Sequence, residues 1–306
     1  MKLNKWTVAL AALGLVSLTT TGMADESETP LQTALSSTTL SGYVDTSAQW
    51  NFGTGNAFAP PYKFGGADKA DGFNLNVIQL RIERPLDEQE WAAGYRVDLW
   101  AGPDANTLGT QSILSQANSD FAIRQAYIAL RMPIANGIDW KVGVFDSIIG
   151  YESVEDPSNP NYTRSYGHSI EPQTHTGILA SYRVNDLLSF SLGIADTSSS
   201  VINARSQQGS LGYTGGALAP LFNGLYDAAG FDVSDASGFN PRAESYKTYM
   251  GSVALTAPDS MGFLAGSTIY AGAVHGYNNS VLGSGIGDVQ DNYYFGATLA
   301  TPVTGL

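Results

Sequence analysis

Residues 40–50 read Leu40-Ser41-Gly42-Tyr43-Val44-Asp45-Thr46-Ser47-Ala48-Gln49-Trp50. The even positions hold Leu40, Val44, Ala48 and Trp50 with Gly42 and Thr46 between them; the odd positions hold Ser41, Tyr43, Asp45, Ser47 and Gln49. A period of two puts successive side chains on opposite faces, so this is a strand with one apolar and one polar face. Trp91, Ala93, Tyr95, Val97 and Leu99 against Ala92, Gly94, Arg96 and Asp98 repeat the pattern. So do Leu188, Phe190, Leu192 and Ile194 against Ser189, Ser191 and Gly193. Ten strands are predicted, near 40–52, 73–84, 91–101, 121–132, 138–148, 177–184, 187–196, 245–257, 264–275 and 292–301. In the fourth, Arg124 falls in phase with Ala126, Ile128 and Leu130, which calls for either a bulge or exposure beyond the apolar band.

The connections alternate as well. They run about 20, 6, 19, 5, 28, 2, 48, 6 and 16 residues, long then short throughout. Turn chemistry marks the short ones: Pro85 and Asp87, Pro133 with Asn136-Gly137, Asn185-Asp186, and Pro258-Asp259. An antiparallel up-and-down transmembrane β-barrel has this asymmetry, with short periplasmic turns and long extracellular loops. A soluble sandwich requires no such parity. Closure has a physical cause, since hydrocarbon offers no partner for a free N–H or C=O. The apolar face then meets lipid and the polar face meets water. No amphipathic helical segment follows the N-terminal region to supply a second layer over an apolar face. Trp91 and Trp140 open strands after short turns and Trp50 closes one before a long loop, positions suited to interfacial girdles.

Composition agrees. The chain has 306 residues, 14% of them charged, with 34 Gly, 16 Tyr and no Cys, which excludes disulfide scaffolds and thiol chemistry. A net charge of −13 argues against a nucleic-acid partner, because phosphate binding needs a basic face. Lys2 and Lys5, the apolar run from Val8 to Leu18, and Gly22-Met23-Ala24 form the three-part pattern of a secretory signal peptide over 1–24. The expected organisation is that leader, a short periplasmic segment at 25–38, and an all-β barrel over 39–306. Leu299-Ala300-Thr301-Pro302 repeats the junction Leu255-Thr256-Ala257-Pro258, and the sequence stops soon after without a terminal aromatic residue. A C-terminally truncated barrel is therefore expected, with about ten strands visible.

The most distinctive stretch is residues 143–177, GVFDSIIGYESVEDPSNPNYTRSYGHSIEPQTHTG. With Arg124-Gln125-Ala126-Tyr127-Ile128-Ala129-Leu130 and the opening Leu40-Ser41-Gly42-Tyr43-Val44-Asp45, it resembles the β-barrel porin-2 (OmpL-like) family of outer-membrane proteins over positions of about 38 to 302. The resemblance implies an outer-membrane porin of a Gram-negative-type bacterium, a passive diffusion channel for small hydrophilic solutes. It brings no catalytic residues and no cofactor. The expected partners are outer-membrane lipid and the solutes; a homo-oligomer is compatible with this reading, though no residue pattern calls for one.

The connection near 149–176 is the third long loop, the one that general porins fold inward to narrow the pore. It carries Glu152, Glu155, Asp156 and Glu171 against Arg164, and the polar faces of preceding strands offer Arg81, Arg96, Arg131 and Lys141. Acids on an inward loop facing bases on the wall would set a transverse field, and charge at a constriction sets selectivity. These nine are the candidate constriction residues; the alternative is a solvated outer loop.

Other chemistries fit less well. His168 and His175 lie seven apart in a Pro-containing loop without zinc-hydrolase spacing, although Glu171 lies between them. Asp156, Asn159 and Asn161 lack EF-hand spacing, and turns around Pro157 and Pro160 are the simpler use of them. Ser267 and His275 are the candidates for a barrel hydrolase, but no Gly-x-Ser-x-Gly motif occurs. Adhesion would use the connection 197–244, where Tyr213, Phe222, Tyr226, Phe231 and Phe239 sit among small polar residues.

Overall fold

The computed structural model describes residues 37–53, 69–108, 110, 119–205, 246–278 and 289–301. The expected leader, most of segment 25–38, the aromatics of 206–244 and the last residues 302–306 lie outside the described residues. Ten strands form one antiparallel sheet in which each pairs with its neighbours in sequence. They are β1 Thr39–Gln49, β2 Gly72–Arg84, β3 Ala93–Ala101, β4 Phe121–Met132, β5 Ile138–Asp146, β6 Thr174–Arg183, β7 Leu188–Ala195, β8 Thr248–Thr256, β9 Thr268–Tyr277 and β10 Val289–Thr298. All ten predicted strands are present. β1 and β10 are the two edges and do not pair with each other, so the sheet is not closed.

The two faces are inverted relative to a soluble protein. On β1, Leu40 is 68% and Val44 62% exposed, whereas Asp98 on β3 is wholly buried and Arg124 on β4 is 1% exposed. Ile78, Leu80, Ile128, Leu130, Leu192, Ile194 and Leu255 belong to the same exposed apolar face. Water would penalise such a surface, and lipid would not. Among the described residues, the helical pieces all lie in connections and none supplies a layer over that face.

Two bulges keep the apolar residues outside. Between β1 and β2 the register slips so that Asp45 opposes Val77 and Thr46 opposes Leu75, leaving Asn76 as the extra residue. Phe73 and Leu75 therefore point outward from odd positions, and Ile78, Leu80 and Ile82 from even ones. Between β3 and β4, Asp98 opposes Gln125 while Leu99 opposes Ile123, which makes Arg124 the extra residue. Of the two explanations open for Arg124, the bulge is the one found. It turns Arg124 and Gln125 together onto the polar face. Next to it, Gly143 has φ +134°, and a Cβ there would lie 2.3 Å from the Ala126 carbonyl oxygen. Only glycine allows β5 so close to β4 at that point.

Some boundaries move. β6 begins at Thr174 because Thr174, His175 and Thr176 pair with Asp146, Phe145 and Val144. β3 begins at Ala93, since Trp91 sits in the preceding turn at φ 58°. The connection after β8 is longer than the expected tight turn: it winds a 3-10 segment, Asp259–Leu264, kinked at Gly262. Its base is closed by Ala257 N–H donating to Ser267 O at 2.7 Å and Gly266 N–H to Ala257 O at 2.9 Å. The alternation of long and short connections holds up to β8 and softens after it.

Candidate functional site

The loop 147–173, between β5 and β6, lies across the polar face. Its neck is tied by Ser147 N–H donating to Gln173 O at 3.0 Å. Beyond it, Ile149 joins an apolar cluster with Phe145, Leu179, Ala195, Met250 and Val274 from β5 to β9, and Ile148 packs against them. Val154 joins a second cluster with Val77, Trp100 and Ala122 on β2–β4 and with Ala105 and Leu108 of the preceding long connection. Asn76 on β2 donates to the Tyr162 hydroxyl at 3.0 Å, and Asn292 on β10 donates to Ile170 O at 3.2 Å. In a flat sheet β2 and β10 would stand about 38 Å apart. The stretch from Tyr162 to Ile170, with its helical turn α1 Tyr166–Ile170, reaches about 20 Å. The sheet is therefore curled around the loop.

The loop's shape is built from its own polar groups. Arg164 is buried and donates to Ser153 O at 2.8 Å, Tyr162 O at 2.7 Å, Val154 O at 3.0 Å and Asp156 Oδ1 at 2.6 Å. Asn159 accepts from Ser153 N–H at 2.9 Å and donates to Glu155 O at 2.6 Å. Glu152 takes the Ser165 N–H at 3.1 Å and its hydroxyl, and Ser165 Oγ in turn caps α1 by accepting from His168 N–H at 3.3 Å. Gly150 has φ +101°, and a Cβ there would meet Glu171 Oε2 at 2.6 Å.

One acid of the loop reaches the wall. Glu155 bonds Arg81 Nη2 and lies 3.3 Å from Arg96 Nη2. Behind these two guanidinium groups sits Asp98, 2.8 Å from Arg81 and 2.7 Å from Arg96. Two cations and two carboxylates thus close a four-member network. Arg124 pairs with Asp146, its Nη2 2.9 Å from Oδ2. A cavity of about 210 Å³ opens beside that pair, lined also by Gly150, Glu152 and Glu171.

The expected constriction residues therefore separate into groups. Glu155, Arg81 and Arg96 come together. Glu152 and Glu171 face the cavity by Arg124. Asp156 and Arg164 pair with each other inside the loop. Arg131 stands apart, near the short turn, 3.2 Å from Asp139. Lys141 lies over the Tyr127 ring at 4.9 Å. Asp98, Arg124 and Asp146 are site members that the candidate set omitted. For Arg124 the readable signal is a charge in phase with an apolar face; Asp98 is one more residue of a polar face.

Burial acts on the carboxylates outside the strands. Asp104, on the second long connection, bonds Lys69 at 2.7 Å. Desolvation, with Asp156 and Asp45 nearby, still pushes it up to about 6 against the pull of Lys69. Burial also raises Asp156, opposed by Arg164. It raises Glu171 too, and there Glu152 acts in the same direction.

The other constellations do not assemble. Among the described residues no three His, Asp or Glu groups are placed to hold a metal ion. His175 Nε2 is 3.3 Å from Ser147 Oγ, and Asn159 is engaged by loop backbone. His275 pairs with Asp291 at 2.6 Å at the long-loop end of β9. Ser267 lies just before the other end of that strand, its Oγ accepting from Ala300 N–H at 2.9 Å.

No curated protein and no solved structure matches this chain. The family model described as Putative beta-barrel porin-2, OmpL-like matches residues 37–293, which includes nine of the ten strands in full. With an inverted, up-and-down sheet of ten strands and a match over most of its length, the chain belongs to that family and is, in outline, a porin of the outer membrane.

Proposed function

We propose that this porin is a passive diffusion channel for small hydrophilic solutes and that the loop 147–173 forms its waist. The supporting observation is the bond from Glu155 to Arg81 and Arg96, which fixes a loop carboxylate against basic residues of the wall. A solute passing there meets opposed charges on two sides of a narrowed section. Asp98 and Glu155 neutralise Arg81 and Arg96 within the network, so Glu152 and Glu171 bias the waist toward cations. Transport needs no cofactor, since the solute gradient supplies the work. The leader at 1–24 would direct the chain across the inner membrane of a Gram-negative-type cell.

The test is reconstitution of the full chain into planar bilayers. Stepwise ohmic conductance with a weak preference for K⁺ over Cl⁻ is expected. Membranes that stay impermeable would overturn the channel reading.

A further inference from the structure

A second cavity, of about 330 Å³, lies on the polar face below the Glu155 network, toward the short turns. Glu83, Arg96, Tyr127, Lys141 and Ser181 line it, with Pro85 and Leu86 of the β2–β3 turn beneath. Its volume falls at the small end of the range for ligand sites.

Of the charged residues that line it, Arg96 and Asp139 are matched. Arg96 belongs to the network with Arg81, Asp98 and Glu155. Asp139 is taken by Arg131 and, beyond β6, Asp186 by Arg183. Three charged side chains on the cavity remain: half-buried Glu83 and Lys141, and Arg84, which is exposed at the short-turn end of β2. Among the described residues neither the Lys141 ammonium nor the Glu83 carboxylate has an oppositely charged partner within 4.0 Å. Lys141 rests on the face of Tyr127 at 4.9 Å, which holds its stem while leaving its N–H donors free of any carboxylate. Glu83 is half-buried and opposes Arg96 in the β2–β3 register, on the same face.

A half-buried charge without a counterion is a cost that a ligand of opposite sign relieves. Here one half-buried cation, Lys141, and one half-buried anion, Glu83, are left open on the same small cavity, while the exposed Arg84 keeps its hydration. We propose that this cavity is a binding step for small zwitterions of the α-amino acid or dipeptide type, their carboxylate taken by Lys141 and their ammonium by Glu83. The inference rests on the channel reading and adds the solute class that the channel favours. A solute carrying only one charge would satisfy one residue and leave the other open.

The test compares entry of glycylglycine with entry of xylitol, a neutral solute of similar size, into liposomes carrying the full chain. Two weak ion pairs predict a glycylglycine rate higher by roughly three- to tenfold. Lys141→Met and Glu83→Gln should each bring the ratio of the two rates close to one. An unchanged ratio in both variants would overturn the proposal. So would a ratio lost only in Lys141→Met with acetate entering as readily as glycylglycine, which would make the cavity a plain anion site. Failure of the channel reading looks different: no ohmic conductance and no entry of xylitol either.

Discussion

Glu155 of the third long loop lies 3.3 Å from Arg96 on β3, a contact made across 59 positions of sequence. That contact, with the bond to Arg81, makes the loop part of the wall. Glu155→Gln leaves the two guanidinium groups with Asp98 as their one carboxylate. A unit charge about 6 Å from a permeating ion in a water-like medium is worth about 0.7 kcal/mol, or roughly threefold in permeability. The Cl⁻/K⁺ permeability ratio should rise by about that factor. Reversal potentials in a KCl gradient measure it, and an unmoved potential would remove Glu155 from the conduction path.

Asp98 is wholly buried between Arg81 and Arg96 and also accepts from Gln125 at 3.4 Å. Asp98→Asn would leave two half-buried guanidinium groups with Glu155 as their one carboxylate. Removing one partner of a buried network costs about 3–5 kcal/mol. Thermal unfolding of the detergent-folded protein should move to clearly lower temperature. Ser41→Ala, a change on the same face of β1, should shift it far less.

Much of this architecture was legible in the sequence. Leu40 and Val44 against Tyr43 and Asp45 mark the faces of β1, and Arg124, a charge in phase with Ala126, Ile128 and Leu130, marks an irregularity that is a bulge in the structure. The bulge in β2 is marked by a change of phase, since Phe73 and Leu75 occupy odd positions and Ile78, Leu80 and Ile82 even ones. Alternation assigns a face but no partner. Arg81, Arg96 and Arg131 look alike in that respect, yet Arg131 is near the end of β4 beside Asp139, while the other two face the loop. The docking of Val154 on Trp100 and the pairing of Glu155 depend on how the loop crosses the sheet, which no local period encodes. The residue type of Arg164 suits a pore charge, but the carbonyls that claim it come from the loop's own turns.

Asp104 gives a pH dependence. Its folded value of about 6 lies above the ordinary aspartate value of 3.8, so the folded state holds the proton more tightly than the unfolded one. Its contribution is complete below about pH 4, declines as pH rises, and is gone above about 6. Asp156 and Glu171 are raised as well and act with the same sign. Thermal unfolding followed from pH 4 to 8 should show stability declining over that window from this source. Asp104→Asn should flatten the decline, and an identical pH profile in the variant would refute the assignment.

The chain has no cysteine, which allows the loop to be pinned without side reactions. A Cβ built on Gly272 of β9 lies 2.7 Å from Ile149 Cγ2, so the Ile149 Cβ is at most one bond further, about 4.2 Å, within the disulfide range of about 3.5–4.5 Å. Ile149→Cys with Gly272→Cys should therefore form a bond under mild oxidation. If the loop conducts in the docked position, oxidation and reduction give the same single-channel conductance, because the bond holds the loop where it already rests. A loop that swings clear during conduction would instead show lower conductance when oxidised and recovery with a reductant. Docking predicts the first result, since Ile149 is packed among Leu179, Met250 and Val274 and withdrawing it would expose that apolar contact to the water of the pore.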